Sequence, residues 1–244
     1  MPVKACHVRI LVDEYDFSGV SNSAIVESTT AILEYSVFQN CAILKLPDTT
    51  AMMMEHNGFF TAPDAGQLEA EMYAKLGTTE ELLVAMIFGT LYDTPVAYVL
   101  NLAFSQQLRL NSQTAALMTV SGSWHSANGL NWSGYQIHEG VLSATGPTTA
   151  KDFVNSSSDG GKAFLFVKGI FGTPTTITIK VQGYTDASFA SPVDLGTFSF
   201  SESGAYQINL ASTVHRHIRL NLTSLGGADS VTVVAIVCSN GVTY

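Results

Sequence analysis

Few residues in this chain are spaced for chemistry. His215-Arg216-His217 puts two imidazoles at i and i+2, which on a strand share one face. A metal centre needs three or four ligands, and no third Cys, His or Asp is signalled nearby. The simpler reading is an exposed basic tip at a strand edge, leading into Ile218-Arg219-Leu220. Ser123 and His125 are close in sequence but carry no base-orienting context, and triad members meet through the fold rather than the sequence. Trp124 and Trp132 flank a Gly/Asn-rich turn. They suit either a ligand-facing aromatic platform for a sugar ring or two core anchors. Asp13, Glu14 and Asp16 lack the spacing and closing Glu of a calcium loop and read as a solvated turn. No GxSxG elbow, HExxH helix, P-loop or GxGxxG is present. No enzymatic activity, metal or other cofactor is expected.

The composition points toward assembly. Of 244 residues, 46% are apolar and only 13% charged, about half the usual charge density. Obligate interfaces are depleted in charge, so much of this surface is expected to meet other subunits. The net charge of −9 argues against a nonspecific DNA binder, which needs a basic stripe. The charge is uneven. Residues 1–122 hold thirteen acids against five bases, a balance of −8, and residues 123–244 hold seven against six, −1. Two domains with different neighbours are expected. Cys6, Cys41 and Cys238 are odd in number and far apart, so they read as small buried hydrophobes rather than a disulfide framework. Neither a signal peptide nor a membrane-spanning segment is expected, which makes the sequons at Asn131, Asn155 and Asn221 uninformative and places synthesis in a reducing cytoplasm.

Most of the chain reads as strands. In the first half these are Cys6–Val12, Ser23–Thr30, Ala31–Phe38, Ala42–Leu46, Ala97–Phe104, Gln106–Asn111 and Ala115–Gly122. Pro47–Asn57 reads as a looser stretch whose Met52, Met53 and Met54, with Glu55 and His56, would make an adaptable contact. Asp64 with Gln67 fits a capping box opening a helix through Leu68, Met72 and Leu76. Thr78 with Glu81 predicts a second, through Leu82, Leu83 and Met86. Ser121–Asn131 reads as a linker. Beyond it, strands at Ala163–Ile170, Thr175–Tyr184, Thr197–Phe200, Ala205–Leu210, His217–Thr223 and Ser230–Cys238 recur between Gly, Ser and Asp turns. That spacing indicates an antiparallel sandwich, with Val231–Cys238, apolar on both faces, at its centre. The fold class is mainly β, with one short helical insert.

The N-terminal half resembles the major tail tube proteins of long-tailed (siphovirus-like) bacteriophages. The residues that carry the resemblance are Val12 to Asn22, the block His56-Asn57-Gly58-Phe59-Phe60, the segment Gly66 to Gly77, and the closing strand Ala115 to Trp124. The C-terminal half is similar to β-sandwich domains appended to virion proteins, through Val214 to Leu220 and Val231 to Cys238. The resemblance implies a tail-tube-like β-sandwich or barrel at residues 1–123 and an outer antiparallel β-sandwich at 124–244. It implies a structural virion protein of the tail, made in the host cytoplasm. Copies would form hexameric rings stacked into a hollow tube, with Met52, Met53, Met54, Glu55 and His56 at the contact between rings. Partners would be the chain itself, a tape-measure protein, and tail terminator and baseplate proteins, with DNA passing through unbound during infection. Other readings are a head decoration or connector, or a carbohydrate-binding module that uses Trp124 and Trp132.

Overall fold

A computed structural model describes residues 7–36, 43–60, 68–74, 76, 82–89, 95–112, 117–126, 131–153, 156–210 and 213–240. Cys6, Cys41, both capping boxes and the stretch Phe38–Cys41 lie outside them. The described elements begin with β1 (Val8–Val12), β2 (Tyr15–Asp16), β3 (Ser21–Ser36) and β4 (Ile43–Phe59). A short helix, α1 (Leu68–Ala74), precedes β5 (Leu82–Phe88), β6 (Val96–Asn111), β7 (Thr119–Ser126) and β8 (Asn131–Leu142). Then come β9 (Gly146–Pro147), β10 (Lys151–Asp152), β11 (Gly161–Gly172), β12 (Ile177–Tyr184), β13 (Val193–Phe200), β14 (Gly204–Leu210), β15 (His217–Ser224) and β16 (Ala228–Ser239). The protein is mainly β, with one short helix among the described residues.

The chain divides into two compact units. Unit 1 joins Met1–Ser18 and Ala85–Val99 to Trp132–Tyr244, and unit 2 holds Gly19–Val84 and Leu100–Asn131. The join at Asn131/Trp132 lies near the border suggested by the charge balance, but two N-terminal segments group with the C-terminal sandwich.

In unit 1 one layer has the antiparallel order β14–β11–β16–β8, and the other has β10–β15–β12–β13 with β9 beside β15. Between them lies a core of alternate residues, including Leu165, Val167, Ile179, Val181, Phe198, Leu220, Val233 and Ala235. On β12 the buried Ile177, Ile179 and Val181 alternate with Thr178 and Lys180, the period-2 pattern visible in the sequence. β16 lies between β11 and β8, and Val231, Val233, Val234, Ala235, Ile236, Val237 and Cys238 are all buried on it. Both faces are covered, as the unbroken apolar run predicts. Gly134 on β8 is fixed by this crowding, since a Cβ there would lie 2.2 Å from the Val237 carbonyl oxygen.

The acidic turn after β1 is half-buried at Asp13 and Glu14 and exposed at Asp16, and it is bonded to the sandwich. Asp13 adopts a left-handed backbone, with φ of 52°, and its Oδ1 accepts a hydrogen bond from the Ala205 N–H at 2.6 Å. Asp16 pairs with Lys168 Nζ at 2.9 Å, and Glu139 accepts from Arg9 at 3.2 Å and from Gln136 at 3.0 Å. These acids tie the first hairpin to the sandwich. Burial raises the Asp16 carboxyl, but bonds to Ser18 and Lys168 outweigh it and hold the group below its ordinary range.

In unit 2 the antiparallel order is β3–β4–β7–β6. β3 and β4 form a long hairpin, in register from Ser21↔Gly58 to Ser36↔Ile43. The expected break between Thr30 and Ala31 is a register shift between Thr30 and Ile32 inside one continuous strand. Pro47 pairs there, opposite Ile32, where the irregular ladder tolerates a residue without an N–H.

Three expectations are corrected. The second helix is strand β5, with Leu82 to Ile87 all buried. A helix would need a polar stripe for solvent, and Leu-Leu-Val-Ala-Met-Ile has none. The loose stretch at Pro47–Asn57 is part of β4, because its backbone pairs along β3 and, from Met53 to Phe59, along β7. The linker Ser121–Asn131 is likewise reduced, since β7 runs to Ser126 and β8 begins at Asn131.

Candidate functional site

The side chains of β4 alternate. Met52, Met54 and His56 are buried on one face, and Met53 and Glu55 are half-buried on the other. The methionine triplet is therefore split by the pleat, and only Met53 and Glu55 offer part of their surface to a neighbour. Met54 stands opposite Trp124 and His56 opposite Gly122 on β7. Trp124 is fully buried, and its Nε1–H donates to His56 Nδ1 at 3.3 Å. It anchors the interior of unit 2 and has no surface for a ligand. Gly122 leaves room for α1: a Cβ there would lie 1.6 Å from the Met72 methyl and 2.9 Å from the Gln107 carbonyl oxygen. Met72 is fully buried against this strand. Burial pushes the His56 imidazole down to about 4, so it is neutral at pH 7 with Nδ1 free to accept.

Trp132 belongs to unit 1 and is half-buried. Its ring stacks obliquely on Phe164 at 6.4 Å, and Lys162 Nζ lies 5.4 Å from the ring centre. That ammonium covers a face a sugar ring would need. Ser123 is buried on β7, and His125 stacks on Phe104 at 6.0 Å with its Nε2 unbonded among the described residues, which hold nothing that orients it as a base. Arg216 makes a two-pronged pair with Asp152 at 2.7 Å, which turns the expected basic tip into an ion pair between β10 and the bend before β15. Among the described residues no group of three or more His, Cys, Asp or Glu is placed to hold a metal. Burial raises the Cys238 thiol far above its ordinary range and leaves it inert.

Among what unit 2 exposes are many large apolar side chains. Of the ten large hydrophobic side chains that stand exposed among the described residues, seven are in this smaller unit. Leu117 is 75% exposed and Tyr73 72%, and Ile25, Ile32 and Leu110 are each more than two-fifths exposed. Among the described residues β3 pairs with β4 alone. The sequence signal for this surface was the low charge density. The residues that carry it were not found, because alternation says which side chains share a face but not which face is covered.

No family model matches the chain, and no curated protein matches it. Solved structures do show likeness. The chain is similar to a protein of the sheath-tube complex of the PVC extracellular contractile injection system in its extended state, at 10% identity and a TM-score of 0.43, covering 55% of this chain and 92% of that one. It is similar to a chain of the native gene transfer agent virion at 10% identity and a TM-score of 0.39, covering 52% and 95%. It is also similar to the SPP1 Dit protein, described as a paradigm of hub adsorption apparatus in phages infecting Gram-positive bacteria, at 8% identity and a TM-score of 0.34, covering 94% and 98%.

Proposed function

We propose that this chain is a structural subunit of a phage-type tail, assembling through unit 2 into hexameric rings that stack as a hollow tube. The observation that carries the reading is that seven of the ten exposed large apolar side chains among the described residues gather in unit 2. Exposed apolar side chains gathered in one unit mark a surface that meets another chain, and copies joined in a closed ring bury it. Contacts between stacked rings are heterologous and yield a filament whose length another factor sets. On this reading Met53 and Glu55 take part in the contact between copies, and Met52, Met54 and His56 support it from the interior. Unit 2 supplies the tube body, and the sandwich of unit 1 its outer domain.

The acid balance of residues 1–122 suits a conduit for DNA during infection. A negative lumen repels phosphate, so nucleic acid slides without sticking. Tape-measure, terminator and baseplate proteins would be the other partners, in the tail of a virion.

The test is the association state of the wild-type chain against an Ile25→Lys/Ile32→Lys variant, by light scattering over a concentration series. The proposal expects large species from wild type and far smaller ones from the variant, with the same circular dichroism. Wild type that stays monomeric at every concentration overturns it. A discrete species that never extends points instead to a connector or decoration.

A further inference from the structure

The outer face of the paired strands β12 and β15 carries an arginine that no acid of the chain neutralises. Arg219 alternates on β15 with Ile218 and Leu220, which are buried in the core between the two sheets, so its side chain leaves the opposite face. It is half-buried there. Its guanidinium carbon lies 4.2 Å from the centre of the Phe189 ring, a cation–π contact. Its Nε–H donates to Gln182 Oε1 at 3.1 Å. Gln182 is itself fixed, because it is buried and its amide donates to Asp194 Oδ1 at 2.8 Å. Phe189 is buried too, against Tyr184 with 6.1 Å between ring centres. Its backbone is left-handed, with φ of 49°, where a bulky side chain is strained. Ring and amide together hold the guanidinium in one place.

Two terminal amino groups remain, and among the described residues neither has an acceptor. The other two arginines of unit 1 are both paired, Arg9 with Glu139 at 3.2 Å and Arg216 with Asp152 at 2.7 Å. The acids of the surrounding network are committed elsewhere. Asp194 holds Lys180 Nζ at 2.6 Å as well as Gln182, and Asp186 accepts from the N–H and the hydroxyl of Ser188. A half-buried guanidinium has given up part of its water, and here it gains no charge partner in return. His217 and Asn221, each two positions from Arg219 on the same face of β15, are half-buried beside it. The Asn221 amide can both donate and accept.

We infer that Arg219 anchors a binding site for a small carboxylate monoanion. With Nε taken by Gln182, the end-on fork of the two amino groups is what Arg219 offers, and that fork matches the two oxygens of a planar carboxylate. A guanidinium already positioned on a ring and an amide loses little freedom when the anion arrives. Asp194, joined to Arg219 through Gln182, opposes the second charge of a phosphate, so one negative charge suits the site better than two. The carboxylate is the group recognised, and its carrier is a sugar acid or an acylated amino acid, which the test separates. The site lies wholly within unit 1 and stands whether or not the chain builds a tube.

The test is saturation-transfer difference NMR on the full chain, which tolerates large assemblies. The probes are glucuronate, N-acetylneuraminate and N-acetylglutamate, with neutral glucose and dianionic glycerol 3-phosphate as comparisons. The inference expects at least one carboxylate to bind with a dissociation constant of about 1–10 mM. Signal from the two sugar acids alone, or from N-acetylglutamate alone, supports it and identifies the carrier. Arg219→Gln should weaken binding about tenfold or more. Because that change also uncovers Phe189, a second variant keeps the arginine. Asn221→Asp sets a fixed carboxylate beside the fork and should weaken binding as strongly, with unchanged melting. No carboxylate signal above glucose, glycerol 3-phosphate bound as well as the carboxylates, or carboxylate binding that survives both variants overturns the inference.

Discussion

His56 is a titratable group held where it cannot easily charge. Its ordinary value is 6.5, and burial beside Trp124 lowers it to about 4 in the folded chain. Between those values the unfolded chain binds a proton that the folded chain does not. The stability this position contributes is therefore whole above pH 6.5 and is lost as pH falls toward 4. The loss is about 3 kcal/mol at the acid end of that window. A urea titration series from pH 7.5 to 4 should show this slope, and His56→Gln should flatten it. An unchanged slope in the variant places the acid sensitivity elsewhere. Asp13 gives a second residue-scale prediction. Its left-handed backbone suits Asp or Asn, and its Oδ1 holds the Ala205 N–H. Asp13→Asn should be nearly neutral, whereas Asp13→Val should cost about 2–4 kcal/mol through backbone strain and a lost acceptor. Chemical denaturation of the two variants separates them.

At the scale of elements, the docking of α1 on β7 rests on a missing side chain. Gly122→Leu should destabilise unit 2 by about 1–3 kcal/mol, because a Cβ collides with the Met72 methyl. Combining it with Met72→Ala should recover part of that loss, with the remainder due to the Gln107 carbonyl. Additive costs in the double variant would show that the two positions do not meet. The element-level errors share one cause. Patterns of two and 3.6 were legible wherever polar residues marked a face, as in Ile177–Val181 and in Leu68 with Met72. They failed in Leu82–Ile87, which is buried all round and so carries no period. They failed again at Met52–His56, where half-buried Met53 and Glu55 blurred the alternation. β8 went unread because Gly134 and Gly140 interrupt it, and glycine inside a strand imitates a turn.

At the scale of the whole molecule, the low charge and the acidic first half were legible, and together they pointed to an assembling surface that repels DNA. The grouping of residues 1–18 and 85–99 with the C-terminal sandwich was not. It depends on pairings between distant segments, such as Asp16 with Lys168, that no local pattern encodes. With a net charge of −9, the chain should not retard duplex DNA in a gel shift, even at about 50 mM salt where basic proteins bind strongly. Retardation would remove the case for a non-adhesive lumen. The central claim is that copies of this chain build a tube, and negative-stain electron microscopy of the purified full chain tests it most directly. Hollow tubes or stacked six-fold rings are the predicted result, and a monodisperse field of single particles at high concentration would contradict it.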